Sequence, residues 1–147
     1  MRRALPQATH GPPLLTTTAE YALRALAELA TEGPAEAVRA SDLAARTGVP
    51  EAYLSKVLRR LVSRGLLHGT KGHGGGFMLA RPAARIRFID VLEAVDAMPE
   101  ANRCIFGQPR CSEANPCALH PAWSKMKGAF EAWARTTTLA DVSRRPR

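Results

Sequence analysis

The chain of 147 residues is 46% hydrophobic, and its 21 Lys and Arg residues exceed its 13 Asp and Glu residues to give a formal net charge of +8. This composition can build a core, which excludes global disorder, and charged residues interrupt every apolar run before it reaches the ~18 residues of a membrane span. The 3 cysteines are too few and too closely spaced for a disulfide framework, so we expect a cytoplasmic protein. A chain of this length suits one domain, or one small domain with an appendage.

Residues 1–13 are predicted to be a disordered leader. Met1, Arg2 and Arg3 make its start basic, but prolines and a glycine follow where a signal peptide would have an apolar core. We therefore expect neither export nor attachment to a membrane.

Two helices are predicted to open the folded part of the chain. The first begins at Thr17 with a capping box, in which Glu20 follows three residues after a hydroxyl, and it ends at Gly33. The second is short, is capped by Ser41 and stops at Gly48.

The third predicted helix opens at Pro50 and stops at Gly65, and its apolar residues recur at helical spacing. The stripe expected to be buried comprises Leu54, Val57, Leu58 and Leu61. The opposite side carries Ser55, Lys56, Arg59, Arg60, Ser63 and Arg64. A short helix followed by a basic one across a tight turn is the pattern of a helix-turn-helix.

Two short strands, residues 66–70 and 77–80, are predicted around a loop over residues 71–76. The loop carries the side chains of Lys71 and His73 among four glycines, so its backbone can approach another surface closely. We predict a wing that enters a narrow groove. The alternatives are a hairpin tip without contacts and a phosphate-binding loop, although the latter needs a following helix and a Lys-Ser/Thr pair.

The positive charge is concentrated in residues 52–89, which contain no acidic residue. Eight Lys and Arg residues lie there and equal the whole net charge of +8, so one surface is expected to face phosphate. A fourth helical pattern runs from Ile89 to Met98 and ends at Pro99. Together these elements predict a mainly α fold, with a winged helix-turn-helix domain over residues 14–99.

Cys104, Cys111 and Cys117 are separated by six and then five residues, with His120 after a further two. Loop-forming residues between them let the chain wrap around an ion, and thiolates with an imidazole are ligands for zinc, copper(I) or an iron–sulfur cluster. We predict a metal- or cluster-binding loop over residues 100–120. Three unrelated thiols are the alternative, but free cysteines usually lie within helices or strands.

The last predicted helix, residues 121–140, carries a seam of large apolar side chains, and residues 141–147 are expected to form a flexible tail. The seam comprises Trp123, Met126, Phe130 and Trp133. Its three- and four-residue spacing is like that of a coiled coil, and half-site recognition by a helix-turn-helix protein generally needs a two-fold pair. We predict a dimerisation helix, with packing back onto the winged domain as the alternative.

Over residues 15–142 the chain resembles the IscR/NsrR-type winged-helix regulators of bacteria, the Rrf2 family, which carry an iron–sulfur cluster. The similar segments are the opening at 16–26, the recognition helix at 50–61, the glycine-rich wing at 71–77, the three cysteines with 119–123, and 138–141. They cover almost all of the chain beyond the leader. The resemblance implies a homodimeric transcriptional regulator, expected to be a repressor, and not an enzyme.

The resemblance also implies a set of cluster ligands. Cys104, Cys111 and Cys117 of each subunit would hold an iron–sulfur cluster of the 2Fe-2S or 4Fe-4S type, with either His120 or Glu20 of the partner subunit as the fourth ligand. Oxidation, nitrosylation or loss of the cluster would move the loop and alter DNA affinity. The protein would therefore sense redox state, nitric oxide or iron–sulfur status.

The DNA contacts are predicted to lie on the third helix and the wing. Phosphate contacts are expected from Lys56, Arg59, Arg60 and Arg64, base-edge contacts from Glu51, Ala52, Ser55 and Lys56, and minor-groove contacts from Lys71 and His73. Tyr53 is a further predicted DNA-binding residue. Helix capping is the alternative role of Glu51. Two subunits are expected to read a pseudo-palindromic operator in double-stranded DNA.

Other functional classes account for part of the pattern. A structural Cys3His zinc site, in a winged-helix or RNA/DNA-binding protein, would use the same four ligands. A thiol enzyme would need an apolar pocket and an orienting acid beside His120, which the sequence does not indicate. Regulators of this fold that sense through thiols without a cluster are a third alternative, against which the presence of all three cysteines counts.

Overall fold

The computed structural model describes residues 14–33, 36–100 and 103–143, so the predicted leader and the end of the predicted tail lie outside the described residues. The mainly helical fold with a small wing and a long C-terminal helix is as predicted. No helix in the described ranges is long and apolar enough to cross a bilayer. The helices are α1 (Thr17–Glu32), α2 (Ala40–Thr47), α3 (Glu51–Ser63), α4 (Phe88–Ala94), α5 (His120–Thr136) and α6 (Leu139–Ser143), and the strands are β1 (Leu67–Thr70) and β2 (Gly76–Leu79).

α1 lies at the centre of the fold because one of its faces is built from small residues. Ala19, Ala22 and Ala25 are fully buried, which lets α2, α3, α4 and α6 approach the backbone of α1 closely. Leu26 and Leu29 continue the same face into the core. The buried stripe predicted for α3 is confirmed, and its members are Leu54, Val57, Leu58 and Leu61.

The predicted cap of α1 is wrong by one residue. Thr16, not Thr17, is the cap, and its hydroxyl accepts a hydrogen bond of 3.2 Å from the N–H of Ala19. Thr16, Thr17 and Thr18 carry the same capping hydroxyl, so local sequence does not distinguish them. Burial of the alanine face of α1 determines which of the three is the cap. Glu20 therefore forms no capping box, and its carboxylate instead lies 3.7 Å from the guanidinium of Arg24.

The predicted caps of α2 and α3 are also displaced. α2 begins at Ala40 after Arg39, so Ser41 lies inside the helix and does not cap it. The start is earlier because Val38, just before it, is already bonded to the wing. Pro50 occupies the cap position of α3 rather than its first helical position.

The wing is an antiparallel hairpin that is tied to the segment before α2. β1 pairs with β2 so that Leu67 faces Leu79, which confirms both predicted strands to within one residue. Val38 and Phe77 exchange two backbone hydrogen bonds, of 2.8 and 2.9 Å. Gly76 is required beside them, because its φ is 152° and a Cβ there would lie 2.5 Å from the carbonyl oxygen of Val38.

The predicted end of α4 is wrong, because the helix stops at Ala94 rather than near Met98. Asp96 then takes a left-handed conformation with a φ of 52°. The N–H of Ala97 turns back to the carbonyl of Leu92 at 2.8 Å, which closes the helix end.

The helix predicted over residues 121–140 is two helices, because long-range backbone bonds interrupt it after Thr136. The N–H of Phe88 donates to the carbonyl of Thr137 at 2.9 Å, and the N–H of Leu139 donates to that of Ile86 at 3.0 Å. These bonds fasten the C-terminal segment to the start of α4. The predicted tail consequently begins inside α6.

Candidate functional site

α2 and α3 form a helix-turn-helix. Gly48 follows α2 in the left-handed conformation, with a φ of 71°, and its N–H donates to the carbonyl of Ala44 at 2.9 Å. This tight ending lets α3 begin at Glu51 and pack against α2. α3 is therefore the second helix of the pattern, the one that enters the major groove in proteins of this type.

The face of α3 opposite its buried stripe is exposed and basic. Ala52, Lys56, Arg59 and Ser63 follow one another at four-, three- and four-residue spacing, and all are exposed. Lys56 and Arg59, both predicted DNA contacts, form the centre of this face. Short side chains at its two ends leave the cations prominent, which suits entry into a groove lined by phosphates.

The wing lies along one flank of α3. Gly69 of β1 faces Val62 of α3, since a Cβ added to Gly69 would meet that side chain at 3.6 Å. At the tip of the wing Lys71 and His73 are exposed, and a φ of 71° at Gly74 lets the loop turn back. Lys71 and His73, the two predicted wing contacts, are thus exposed on the side of α3 that carries Val62.

On the opposite flank of α3, two predicted DNA contacts are held within the molecule. Tyr53 hydrogen-bonds through its hydroxyl to that of Thr18 and packs edge-on against Tyr21, with ring centroids 5.4 Å apart. Arg60 forms an ion pair with Asp96, just past the end of α4. Both side chains stay partly exposed, so contact with DNA requires an exchange of partners and no opening of the core.

The remaining predicted DNA contacts differ in exposure. Glu51 and Arg64, at the two ends of α3, are exposed, whereas Ser55 is half-buried on the same flank as Val62. The carboxylate of Glu51 in the first turn also suits the positive end of the helix dipole, as the capping alternative requires. All these DNA contacts stay predictions.

The cysteine loop places Cys111 beside His120, with Sγ and Nδ1 3.3 Å apart. The ammonium of Lys127 donates to the same sulfur at 3.5 Å. Lys127 was missing from the predicted site, although it follows His120 by seven residues and so lies on the same face of α5. That spacing is the signal that could have identified it.

Cys104 is buried beside Cys117 among backbone N–H groups. The N–H of Gln108 donates to its sulfur and lowers the pKa of the thiol below its ordinary value. Burial opposes this shift, while the N–H groups of Phe106 and Gly107 and the side chain of Cys117 reinforce it. These contacts stabilise the thiolate of Cys104, which is the form that binds metals.

The four predicted ligands come together as two pairs, Cys104 with Cys117 and Cys111 with His120. In the described parts of the chain, no three His, Cys, Asp or Glu side chains are grouped as a metal ion requires, and Glu20 belongs to neither pair. Among the same residues, Nε2 of His120 is buried and has no hydrogen-bond partner. Three thiols and an imidazole with an unsatisfied nitrogen are a donor set that fits iron–sulfur clusters or zinc.

One part of the predicted seam of α5 packs against the winged domain, and another part is exposed to solvent. Trp133 packs edge-on against Phe88 of α4, with ring centroids 5.3 Å apart, and also contacts Phe130. Trp123 is half-buried, and Met126 is 54% exposed. Packing onto the winged domain therefore accounts for the second half of the seam, and Met126 remains at the surface.

Comparison with known proteins identifies a family model and a similar regulator. The model Rrf2, described as an iron-dependent transcriptional regulator, matches residues 15–145. The HTH-type transcriptional regulator IscR of Escherichia coli is 30% identical over 128 residues, which are 87% of this chain and 78% of IscR.

Solved structures share the fold. CymR, the global cysteine regulator of B. subtilis, matches with a TM-score of 0.74 and 22% identity over 87% of this chain and 94% of CymR. IscR of T. potens matches with a TM-score of 0.67 and 24% identity over 90% of this chain and 91% of that one. These likenesses confirm the winged-helix fold. The relatives are transcriptional regulators, which confirms the prediction that the chain is not an enzyme.

Proposed function

The chain belongs to the Rrf2 family of transcriptional regulators, and from that premise we propose that it is a dimeric repressor of a pseudo-palindromic operator. The observation that carries the proposal is the exposed basic face of α3 beside the wing. Lys56 and Arg59 would contact the major groove and its phosphates, and Lys71 and His73 would reach the minor groove. Residues 52–89 contain no acidic side chain that would repel the duplex.

A second copy of the chain is the proposed occupant of the apolar surface near the cysteine loop. Ile105 and Phe106 are 55% and 67% exposed, and Met126 on α5 is 54% exposed. Large apolar side chains exposed to solvent on the loop and on the helix that follows it favour association. A two-fold dimer would present two copies of α3 to half-sites about 34 Å apart, one turn of DNA.

The cysteine loop is proposed to hold an iron–sulfur cluster through Cys104, Cys111 and Cys117, with His120 as the fourth ligand. Support comes from the buried Nε2 of His120, which has no partner among the described residues, and from the N–H groups around the Cys104 sulfur. A bound cluster would supply an oxidisable group at this loop. The proposal favours His120 over Glu20 of the partner subunit, because the carboxylate of Glu20 lies close to Arg24.

The loop adjoins the DNA-binding elements through the helices on either side of it. α4 precedes the loop and packs against α1 and α3, and α5 follows the loop and packs against α4. A change at the loop would therefore reach α3 through packed helices. Coupling between two sites by such a route is commonly about 1–3 kcal/mol.

Protein purified without oxygen tests the proposed cluster. We expect visible absorbance, iron and sulfide in the wild type, and the loss of all three in Cys111→Ala. Ala118→Ser is a matched control, because it changes an exposed position in the same loop and keeps the four ligands. Colourless protein with about one zinc per chain would favour the structural zinc site. Unchanged absorbance and unchanged DNA affinity in Cys111→Ala would contradict cluster sensing.

A further inference from the structure

The ion pair between Arg60 and Asp96 joins the recognition helix to the end of α4. Arg60 follows Arg59 directly and so lies at the edge of the exposed face of α3, on the flank away from the wing. A helix in the major groove has a phosphate backbone along each of its flanks. Arg60 is therefore placed to reach the backbone that the wing does not face.

Asp96 occupies a left-handed backbone position that few residues other than Gly, Asn and Asp adopt. Its φ of 52° is in the left-handed region, where glycine is the usual residue at a helix end. Its own N–H donates to the carbonyl of Glu93 at 3.2 Å, and that of Ala97 to Leu92 at 2.8 Å, so the turn is well held. A carboxylate that pairs with α3 therefore occupies a position where glycine would adopt the left-handed conformation with less strain.

The pair is on the surface, where a phosphate can compete for the arginine. The side chains of Arg60 and Asp96 are 39% and 70% exposed. Exposed ion pairs shift an equilibrium by about 1.5- to 5-fold. Asp96 can therefore tune the contact between Arg60 and DNA without abolishing it.

We propose that Asp96 is a positioning residue that holds Arg60 away from the DNA phosphates and so lowers the affinity of the regulator for its operator. The proposal rests on the proposed function of α3 as the DNA-reading helix. Asp96 lies in the segment between α4 and Cys104. A movement of that segment would consequently change how strongly Asp96 competes with the DNA phosphates for Arg60.

Asp96→Asn tests this role, because Asn keeps the side-chain shape and tolerates the left-handed backbone but carries no charge. The probe is a duplex enriched from a random-sequence library by the wild-type protein, and Kd is measured from about 50 to about 200 mM salt. A dimer with both Arg60 side chains released should bind about 2- to 25-fold more tightly at low salt. The slope of log Kd against log salt should steepen, by at most about 1.8, which is the value for two wholly new phosphate contacts.

Two controls separate this effect from a change in net charge. Glu93→Gln removes the same charge from α4, where the carboxylate acts on Arg87, and should leave the slope unchanged. Asp96→Asn combined with Arg60→Gln should behave as Arg60→Gln alone. Equal slopes in the wild type and Asp96→Asn, or an equal steepening in either control, would overturn the positioning role. Wild-type protein that binds no duplex would overturn the proposed function as well.

Discussion

Replacing Gly76 by alanine perturbs the point at which the wing is tied to the segment before α2. The added Cβ would lie 2.5 Å from the carbonyl oxygen and 2.6 Å from the carbonyl carbon of Val38. Because these are backbone atoms, no side-chain rotation relieves the overlap. If the pairing persists, the chain bears the strain of a positive φ, and if it yields, two hydrogen bonds between Val38 and Phe77 are lost. The expected loss in the free energy of unfolding is about 2–4 kcal/mol.

Urea unfolding measures this loss, and Gly128→Ala is the matched control. Gly128 lies inside α5 with nothing within 4 Å of an added Cβ, so alanine there should stabilise the protein by about 0.5–1 kcal/mol. Gly76→Ala should also weaken binding to duplex DNA under conditions in which it stays folded, because Lys71 and His73 move with the wing. A free energy of unfolding equal to or above that of the wild type would show that the backbone of Val38 does not exclude a Cβ at position 76.

Three further predictions concern charge and association. Lys56→Gln should reduce the slope of log Kd against log salt by about 0.9 per subunit, whereas Lys125→Gln, at an exposed position of α5, should leave it unchanged. Burial raises the pKa of Asp90, but hydrogen bonds and charge from Arg87 outweigh burial and lower that pKa. The ionised carboxylate of Asp90 therefore stabilises the fold above the ordinary carboxyl pKa, and this stabilisation is lost as pH falls through the lowered pKa. The free energy of unfolding in urea should therefore fall less between neutral pH and a pH below about 4 in Asp90→Asn than in the wild type. Met126→Glu should shift the protein towards monomer in sedimentation, because it would bury a charge in the proposed interface, and an unchanged dimer would contradict that interface.

The recognition helix and the wing could be predicted because their signals are local. The apolar spacing of α3 depends only on helical geometry, so the buried stripe and the exposed Lys56 and Arg59 follow from it directly. The glycines of the wing indicate a turn, and β1 and β2 flank it within one residue of the prediction. In both cases neighbours in sequence determine the conformation.

The features that the sequence did not indicate depend on distant partners. The end of α5 is set by the bond between Phe88 and Thr137, and α2 starts early because Val38 is bonded to Phe77. The pair of Arg60 with Asp96 spans 36 positions, and no periodicity connects them. For the same reason the spacing of the cysteines predicted a common loop but could not predict which side chains would be neighbours.

Cluster sensing is tested by the affinity of one anaerobic preparation for its enriched operator duplex, measured before and after treatment with a chelator. We expect visible absorbance that disappears on chelation together with a change in Kd of about 5- to 150-fold, and no such change in Cys111→Ala. Equal Kd values before and after loss of the absorbance would contradict cluster sensing.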